Sequence, residues 1–368
     1  MDKFGFVKLK DVCNINMGQS PDSDSYNDNE DGIPFFQGNA DFGEKYPTTR
    51  KWCNAPTKIA HAEDILISVR APIGALNYAK EECCIGRGLA AITPNQDKVS
   101  SGFIYWLLKG KHKELNLQGT GSTFKAISRK VLEEIKVPDI ELKKQTELAG
   151  SLEKVYSVIQ LRKQQLEELD ILIKARFVEM FGTLQNPALE FKRDALKNLC
   201  FKITDGKHGG CKAEEGTERY FVGAREIYDD EIHYDTAPEI NVDEFEKDYK
   251  RCNVEIGDFL IVNTGATIGK SAIAMDERTT HTLLQKSVAL LKIDPEVLNP
   301  VFLKWCYRVN TSMYMVESAS AQPNLLLSKI NVTEIYVPDL ELQNQFADFV
   351  IQVDKLKVEV QKSLDEMQ

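Results

Sequence analysis

The sequence of 368 residues lacks any run of about 20 uninterrupted apolar residues, the length needed for a membrane-spanning helix. Its opening, "MDKFGFVKLKD", lacks the apolar core of a signal peptide, so the expected location is the cytoplasm. Histidine is scarce, at five residues, and the eight cysteines (13, 53, 83, 84, 200, 211, 252 and 306) form no C-x-x-C pair. That pattern argues against a zinc site or a disulfide framework, and the expectation is reduced thiols with no bound metal. A basic excess is also missing: the formal net charge is −10, with acid concentrated in "YDDEIHYDTAPEINVDEFEKD" (228–248). Long-range attraction to a polyanion is therefore not expected, although a local basic groove remains compatible with the composition.

Catalytic signatures are lacking as well. "PDIELK" (138–143) has the residue types of a PD-(D/E)-x-K nuclease, but its acids stand at a helix start and Gln343 replaces the lysine in the second copy. "TGATIGKS" (264–271) is one residue short of a phosphate-binding loop and reads as a tight turn at a sheet edge. "GTGSTF" (119–124) has no third glycine for a dinucleotide loop, and neither Asn-Pro pair is followed by the Pro-Tyr of a methyltransferase turn. No Ser/His/Asp or Cys/His grouping stands out. The expectation is a reader and scaffold without a catalytic site.

What the chain does have is repetition. "VPDIELKKQ" (137–145) returns as "VPDLELQNQ" (337–345), and the match extends backwards. "LKDVC" (9–13) answers "LKNLC" (196–200), "IPFFQGN" (33–39) answers "ERYFVGA" (218–224), and "EDILISVRAPIG" (63–74) answers "GDFLIVNTGATIG" (257–269). "FIYWLL" (103–108) answers "FLKWCY" (302–307), with Trp106 and Trp305 in register. A unit of about 180–200 residues is a duplicated domain rather than a solenoid repeat.

Within each copy, apolar runs such as "ILISV", "GLAAI", "FLIVN" and "SVALLKI" are bounded by turn residues and read as buried strands. "NPVFLKWCYRV" reads as a short helix, with Asn299 as N-cap and Pro300 in the first turn. After Pro138 the pattern becomes helical: Leu148, Leu152, Val155, Ile159, Leu166, Leu169 and Ile173 fall at steps of three and four, with Arg162 and Arg176 filling gaps. After Pro338 the rhythm returns at Phe346, Phe349, Val353, Leu356, Val360 and Leu364. Such a 3.5-residue period predicts two long helices packed as a coiled coil. The nonapeptide reads as the hinge between sheet and helix, with Asp139 and Asp339 positioned to cap.

Polar and basic residues in the loops joined to the strands are the candidates for contact with a nucleic acid. In the first copy they are Gln19, Ser20, Gln37, Asn39, Arg50, Lys51, Arg70 and Arg87. In the second they are Lys207, His208, Arg225, Asn263, Thr264 and Lys270. Arginine and lysine suit guanine edges or phosphate, and asparagine and glutamine suit adenine.

With these features in view, the chain resembles the specificity subunit of Type I restriction-modification systems over essentially its whole length. The "GQSP" turn (18–21), "KIAHAEDILISVRAPIG" (58–74), "GDFLIVNTGATIGK" (257–270) and the two "VPDxELxxQ" helix starts carry the resemblance most specifically. It implies an α/β (α+β) fold of two tandem homologous target-recognition domains, each followed by a long helix, the helices forming an antiparallel coiled coil. The expected divisions are recognition domain 1 at 1–138, a central helix at 139–182, recognition domain 2 at 183–338 and a C-terminal helix at 339–368. By the same resemblance, each domain reads half of a bipartite, asymmetric double-stranded DNA target. The helices dock two methyltransferase subunits, a restriction-translocase subunit joins, and the chain needs no cofactor because the methyltransferase binds S-adenosylmethionine.

A helix from Lys143 to Phe181 would be roughly 58 Å long at 1.5 Å per residue, the span of about 17 base pairs, which makes it a candidate ruler for the gap between half-sites. Matching "LEEL" (166–169) to "LDEM" (364–367) leaves two expectations open, a truncated chain or a second helix naturally about twelve residues short of the first. The acidic charge implies weak DNA binding by the subunit alone. The competing reading is a coiled-coil scaffold whose α/β modules bind protein partners, and base-specific binding by the assembled complex separates the two.

Overall fold

The computed structural model describes residues 5–120, 125–314 and 324–367. It forms two compact units, residues 1–160 and 161–368. Each is built on the same four-stranded antiparallel sheet. In the first, the strands lie in the order Cys13–Met17, Leu89–Pro94, Ile65–Ser68, Leu76–Tyr78. In the second, the order is Cys200–Asp205, Val288–Ile293, Phe259–Val262, Ser271–Ile273. The duplication read from the sequence is thus a duplication of topology.

The apolar runs form strands buried on both faces. Along Ile65–Ser68, Ile65 and Ile67 enter one core with Ile92 and Ile104, while Leu66 enters another with Leu89, Ala91 and Ile85. Along Phe259–Val262 the same alternation sends Phe259 and Ile261 one way and Leu260 and Val262 the other. A two-residue period with cover on both sides leaves no polar face, so the runs show no polar alternation, and the one polar residue, Ser68, is itself buried. In both copies a short helix covers one face. Ser101–Gly110 is capped by the Ser100 side chain, and Pro300–Val309 by Asn299, whose Oδ1 accepts from the Val301 amide at 2.8 Å.

A terminal strand pair closes each module: Gly5–Lys8 with Lys136–Asp139, and Lys192–Ala195 with Glu334–Val337. These pairs correct the register of the repeat. Leu9 N donates to Ile135 O, and Leu196 N donates to Thr333 O, so Ile135 corresponds to Thr333. The central helix begins at Leu142 and the C-terminal helix at Leu340, in the same register. The matching nonapeptides are therefore displaced by two residues from structural equivalence. Asp139 ends a strand instead of capping a helix. Asp339 does occupy the N-cap, but its main-chain oxygen takes the Leu342 and Gln343 amides and its side chain makes no capping bond.

The two long helices, Leu142–Phe181 and Leu340–Asp365, pack antiparallel within the second unit: Phe177 and Phe181 lie 5.2 and 5.7 Å from Phe346, and Asp170 pairs with Lys357 at 2.7 Å. Of the heptad positions, Ile173, Phe346 and Val353 are buried in one core, against which Leu169 and Phe349 pack, and Val360 and Leu364 are also buried. Ile159 and Leu166 are half-buried, whereas Leu148, Leu152, Val155 and Leu356 remain exposed. The heptad pattern marks which residues can form a seam, and burial follows only where another helix covers them.

Candidate nucleic-acid interface

At one end of each sheet, four loops are stitched together by main-chain bonds that recur between the modules. Gly18 N donates to Leu89 O at 2.9 Å and Gly206 N to Val288 O at 3.1 Å; Gln19 N donates to Ile85 O at 3.0 Å and Lys207 N to Leu284 O at 2.7 Å. Gly86 N donates to Phe36 O and Gln285 N to Val222 O, both at 2.8 Å. Val69 N donates to Gly88 O and Asn263 N to Ser287 O, both at 2.9 Å. The glycine opening the first loop is required sterically: a Cβ on Gly18 would lie 2.2 Å from Gly86 O, and one on Gly206 2.2 Å from Leu284 O. Any side chain there would push the loops apart.

These bonds also place the nominated residues. Gln19, Ser20, Gln37, Asn39, Arg70 and Arg87 sit on the four stitched loops of the first module. The antiparallel register Ile33↔Cys53 and Pro34↔Trp52 continues through Phe35 N to Lys51 O, carrying Arg50 to the Gln37 end of its strand. Lys51 itself is paired with Asp28 at 3.3 Å. In the second module, Lys207, His208, Arg225, Asn263 and Thr264 lie on the corresponding loops. Because Phe36 corresponds to Val222, Asn39 corresponds to Arg225, and the match of "IPFFQGN" to "ERYFVGA" slips by one residue.

The second module's candidates differ in availability. Lys207 reaches Asp248 at 2.6 Å and Glu244 at 3.5 Å, and the Asp248 bond holds its ammonium above the ordinary lysine range. His208 faces Asp205 at 3.3 Å, a carboxylate also engaged by Arg251. Asn263 is buried, and its Oδ1 accepts from the Thr264 hydroxyl at 3.2 Å. Lys270 lies on the far side of the hairpin Val262–Lys270, lining a groove of about 1100 Å³ with Trp305, Val350 and Lys357. No helix follows that turn; the strand Ser271–Ile273 does, so "TGATIGKS" is a hairpin loop and not a phosphate cradle. Residues 121–124 of "GTGSTF" lie outside the described residues.

One position was missed by residue-by-residue reading. The turn closed by Leu89 N to Gly86 O has a counterpart closed by Val288 N to Gln285 O, which sets Lys286 opposite Arg87. Aligning "IGRGLAAI" (85–92) with "LQKSVALL" (284–291) carries the signal. Among the described residues, no group of three or more His, Cys, Asp or Glu is placed to hold a metal ion, and no helix is long and apolar enough to cross a membrane.

A family model described as the Type I restriction modification DNA specificity domain matches the chain twice, at residues 1–170 and 201–366. The chain belongs to this family of Type I specificity domains. Among curated relatives, the putative type I restriction enzyme MjaX specificity subunit of Methanocaldococcus jannaschii is 43% identical over 156 residues, covering 42% of this chain and 37% of that relative. The type I restriction enzyme EcoBI specificity subunit of Escherichia coli is 21% identical over 394 residues, covering 98% of this chain and 81% of the relative. The crystal structure of the Type I restriction-modification system S subunit from M. genitalium aligns over 100% of this chain and 94% of its own, with a TM-score of 0.60 at 15% identity, a likeness of fold alone. The architecture is accordingly that of a Type I specificity subunit: two homologous domains, each followed by a long helix, with the helices packed antiparallel.

Proposed function

We propose that this specificity subunit directs a Type I methyltransferase and endonuclease to a bipartite, asymmetric double-stranded DNA target, one half read by residues 1–138 and the other by 183–338. The helical regions, 139–182 and 339–368, set the spacing of the half-sites and dock methyltransferase subunits. A restriction-translocase subunit completes the complex, and adenine methylation with S-adenosylmethionine takes place on the methyltransferase. The observation that supports this reading most directly is the recurrence of one stitched loop cluster in both modules with different residues at its tips: Gln19 stands where Lys207 does, Asn39 where Arg225 does, and Arg70 where Thr264 does. A common frame with unlike polar tips suits two readers of unlike sequences.

The test is co-expression with the cognate methyltransferase and mapping of N6-methyladenine on plasmid DNA by long-read sequencing. The expected result is a split motif with two different halves and a fixed spacer. Assembly of the complex with no sequence-specific methylation would overturn the reading and favour a protein-binding scaffold.

A further inference from the structure

We propose that Lys286 contacts the DNA phosphate backbone in the second module, at the position Arg87 holds in the first. The inference rests on the function proposed above and identifies a residue that the loop sequences alone do not single out. Both side chains stand exposed at the tip of a four-residue turn, Gly86–Leu89 or Gln285–Val288, closed by a main-chain bond of 3.0 or 2.9 Å. In both modules the amide of the tip residue is directed to the glycine-opened loop. Arg87 N donates to Ser20 Oγ at 3.5 Å and Lys286 N to Lys207 O at 3.0 Å. The flanking bonds, Gly86 N to Phe36 O and Gln285 N to Val222 O, fix the turns on the adjoining strand. The tip is thus braced on two sides and cannot swing as a free loop would.

Availability of charge separates Lys286 from Lys207 and His208. Lys207 and His208 already face carboxylates, which offsets their attraction for an anion. No ion pair is formed by Lys286 or Arg225 among the described residues, and these are the cations the second cluster presents unpaired. An ammonium on a flexible stem is a point charge suited to phosphate, whereas the planar guanidinium of Arg87 is also suited to the two acceptors of guanine. Lys286 is therefore assigned to positioning, with sequence reading left to other residues of the cluster.

The experiment uses the assembled methyltransferase complex with Lys286→Ala, Lys286→Arg and the unaltered subunit, bound to a duplex carrying the motif mapped for the unaltered complex. A contact with one phosphate predicts that Lys286→Ala lowers the slope of log K against log salt by about one, with the motif unchanged. Lys286→Arg should restore the slope, and all three complexes should have the same thermal midpoint. An unchanged affinity and slope in Lys286→Ala would overturn the assignment while leaving the specificity role standing, since that role fails only if the unaltered complex yields no split motif.

Discussion

The two long helices begin alike and are held differently. Phe346, Val350 and Val353 of the C-terminal helix are at most 6% exposed, whereas their structural counterparts Leu148, Leu152 and Val155 on the central helix are 39, 46 and 45% exposed. Both series have heptad spacing, so local pattern does not explain the contrast. The cover does: Ile173, Phe177 and Phe181 share one core with Phe346, Val350 and Val353, and Phe346 also meets Trp305 edge-on at 6.4 Å. An amphipathic stripe gains stability only where another surface takes it out of water.

The largest break in this comparison comes from truncating the matched second-turn residues Phe346 and Leu148. Removing the Phe346 ring opens a cavity among Phe177, Phe181 and Trp305, and Phe346→Ala should cost roughly 3–5 kcal/mol. Leu148→Ala should cost about 1 kcal/mol, because a side chain open to solvent leaves no enclosed void. Urea denaturation followed by tryptophan fluorescence measures both, and equal losses at the two sites would contradict the contrast in burial.

Where the modules are alike, the prediction is equality. Gln145 is buried, its Oε1 accepting from Ser100 N at 2.9 Å and its Nε2 donating to Lys98 O at 3.2 Å and Ile140 O at 2.9 Å. Gln343 repeats this with Asn299 N at 2.9 Å, Val297 O at 3.0 Å and Pro338 O at 2.8 Å. Each glutamine ties the start of its long helix to the turn before the short helix. Gln145→Leu and Gln343→Leu should each cost about 2–3 kcal/mol, since three main-chain groups lose their partner. The same melts would show it, and a loss confined to one module would mean that the two hinges are not equivalent.

These glutamines also explain what the sequence made legible and what it hid. The doubly buried strands were readable because "ILIS" and "FLIV" have no polar alternation, and the Asn299-Pro300 cap because its chemistry is local. The nonapeptide misled because its letters match at one offset while the hinge works at another. "VPD" in the first copy lies within a strand, whereas in the second Val337 ends the strand and Asp339 sits at the helix start. What corresponds in space is the glutamine reaching back to the short helix, a tertiary relation that no adjacent letters encode. The candidate site behaved similarly: glycines and loop cations were visible, but the carboxylates that occupy Lys207 lie about 40 residues downstream, on the helix Val242–Tyr249.

The smallest expected effect concerns how the first module holds its helix without an aromatic core of the second kind. Tyr156 of the central helix meets Trp106 edge-on at 5.3 Å, and Lys109 lies 3.4 Å from the Tyr156 ring centroid and 4.9 Å from that of Trp106. One ammonium between two aromatic faces joins the short helix to the long one, whereas in the second module Arg308 lies over Trp305 at 4.4 Å within the short helix itself, and Trp305 meets the long helix through Phe346. Lys109→Met keeps most of the aliphatic bulk and removes the charge, so the loss should be confined to the cation–π attraction, about 1 kcal/mol. Because the attraction is electrostatic, Lys109→Arg should recover most of it. Recovery by arginine but not methionine would show that the first module secures its long helix by charge against aromatic rings, where the second relies on buried volume. If methionine were as stable as lysine, simple packing would account for both helices, and their difference would reduce to the extent of cover.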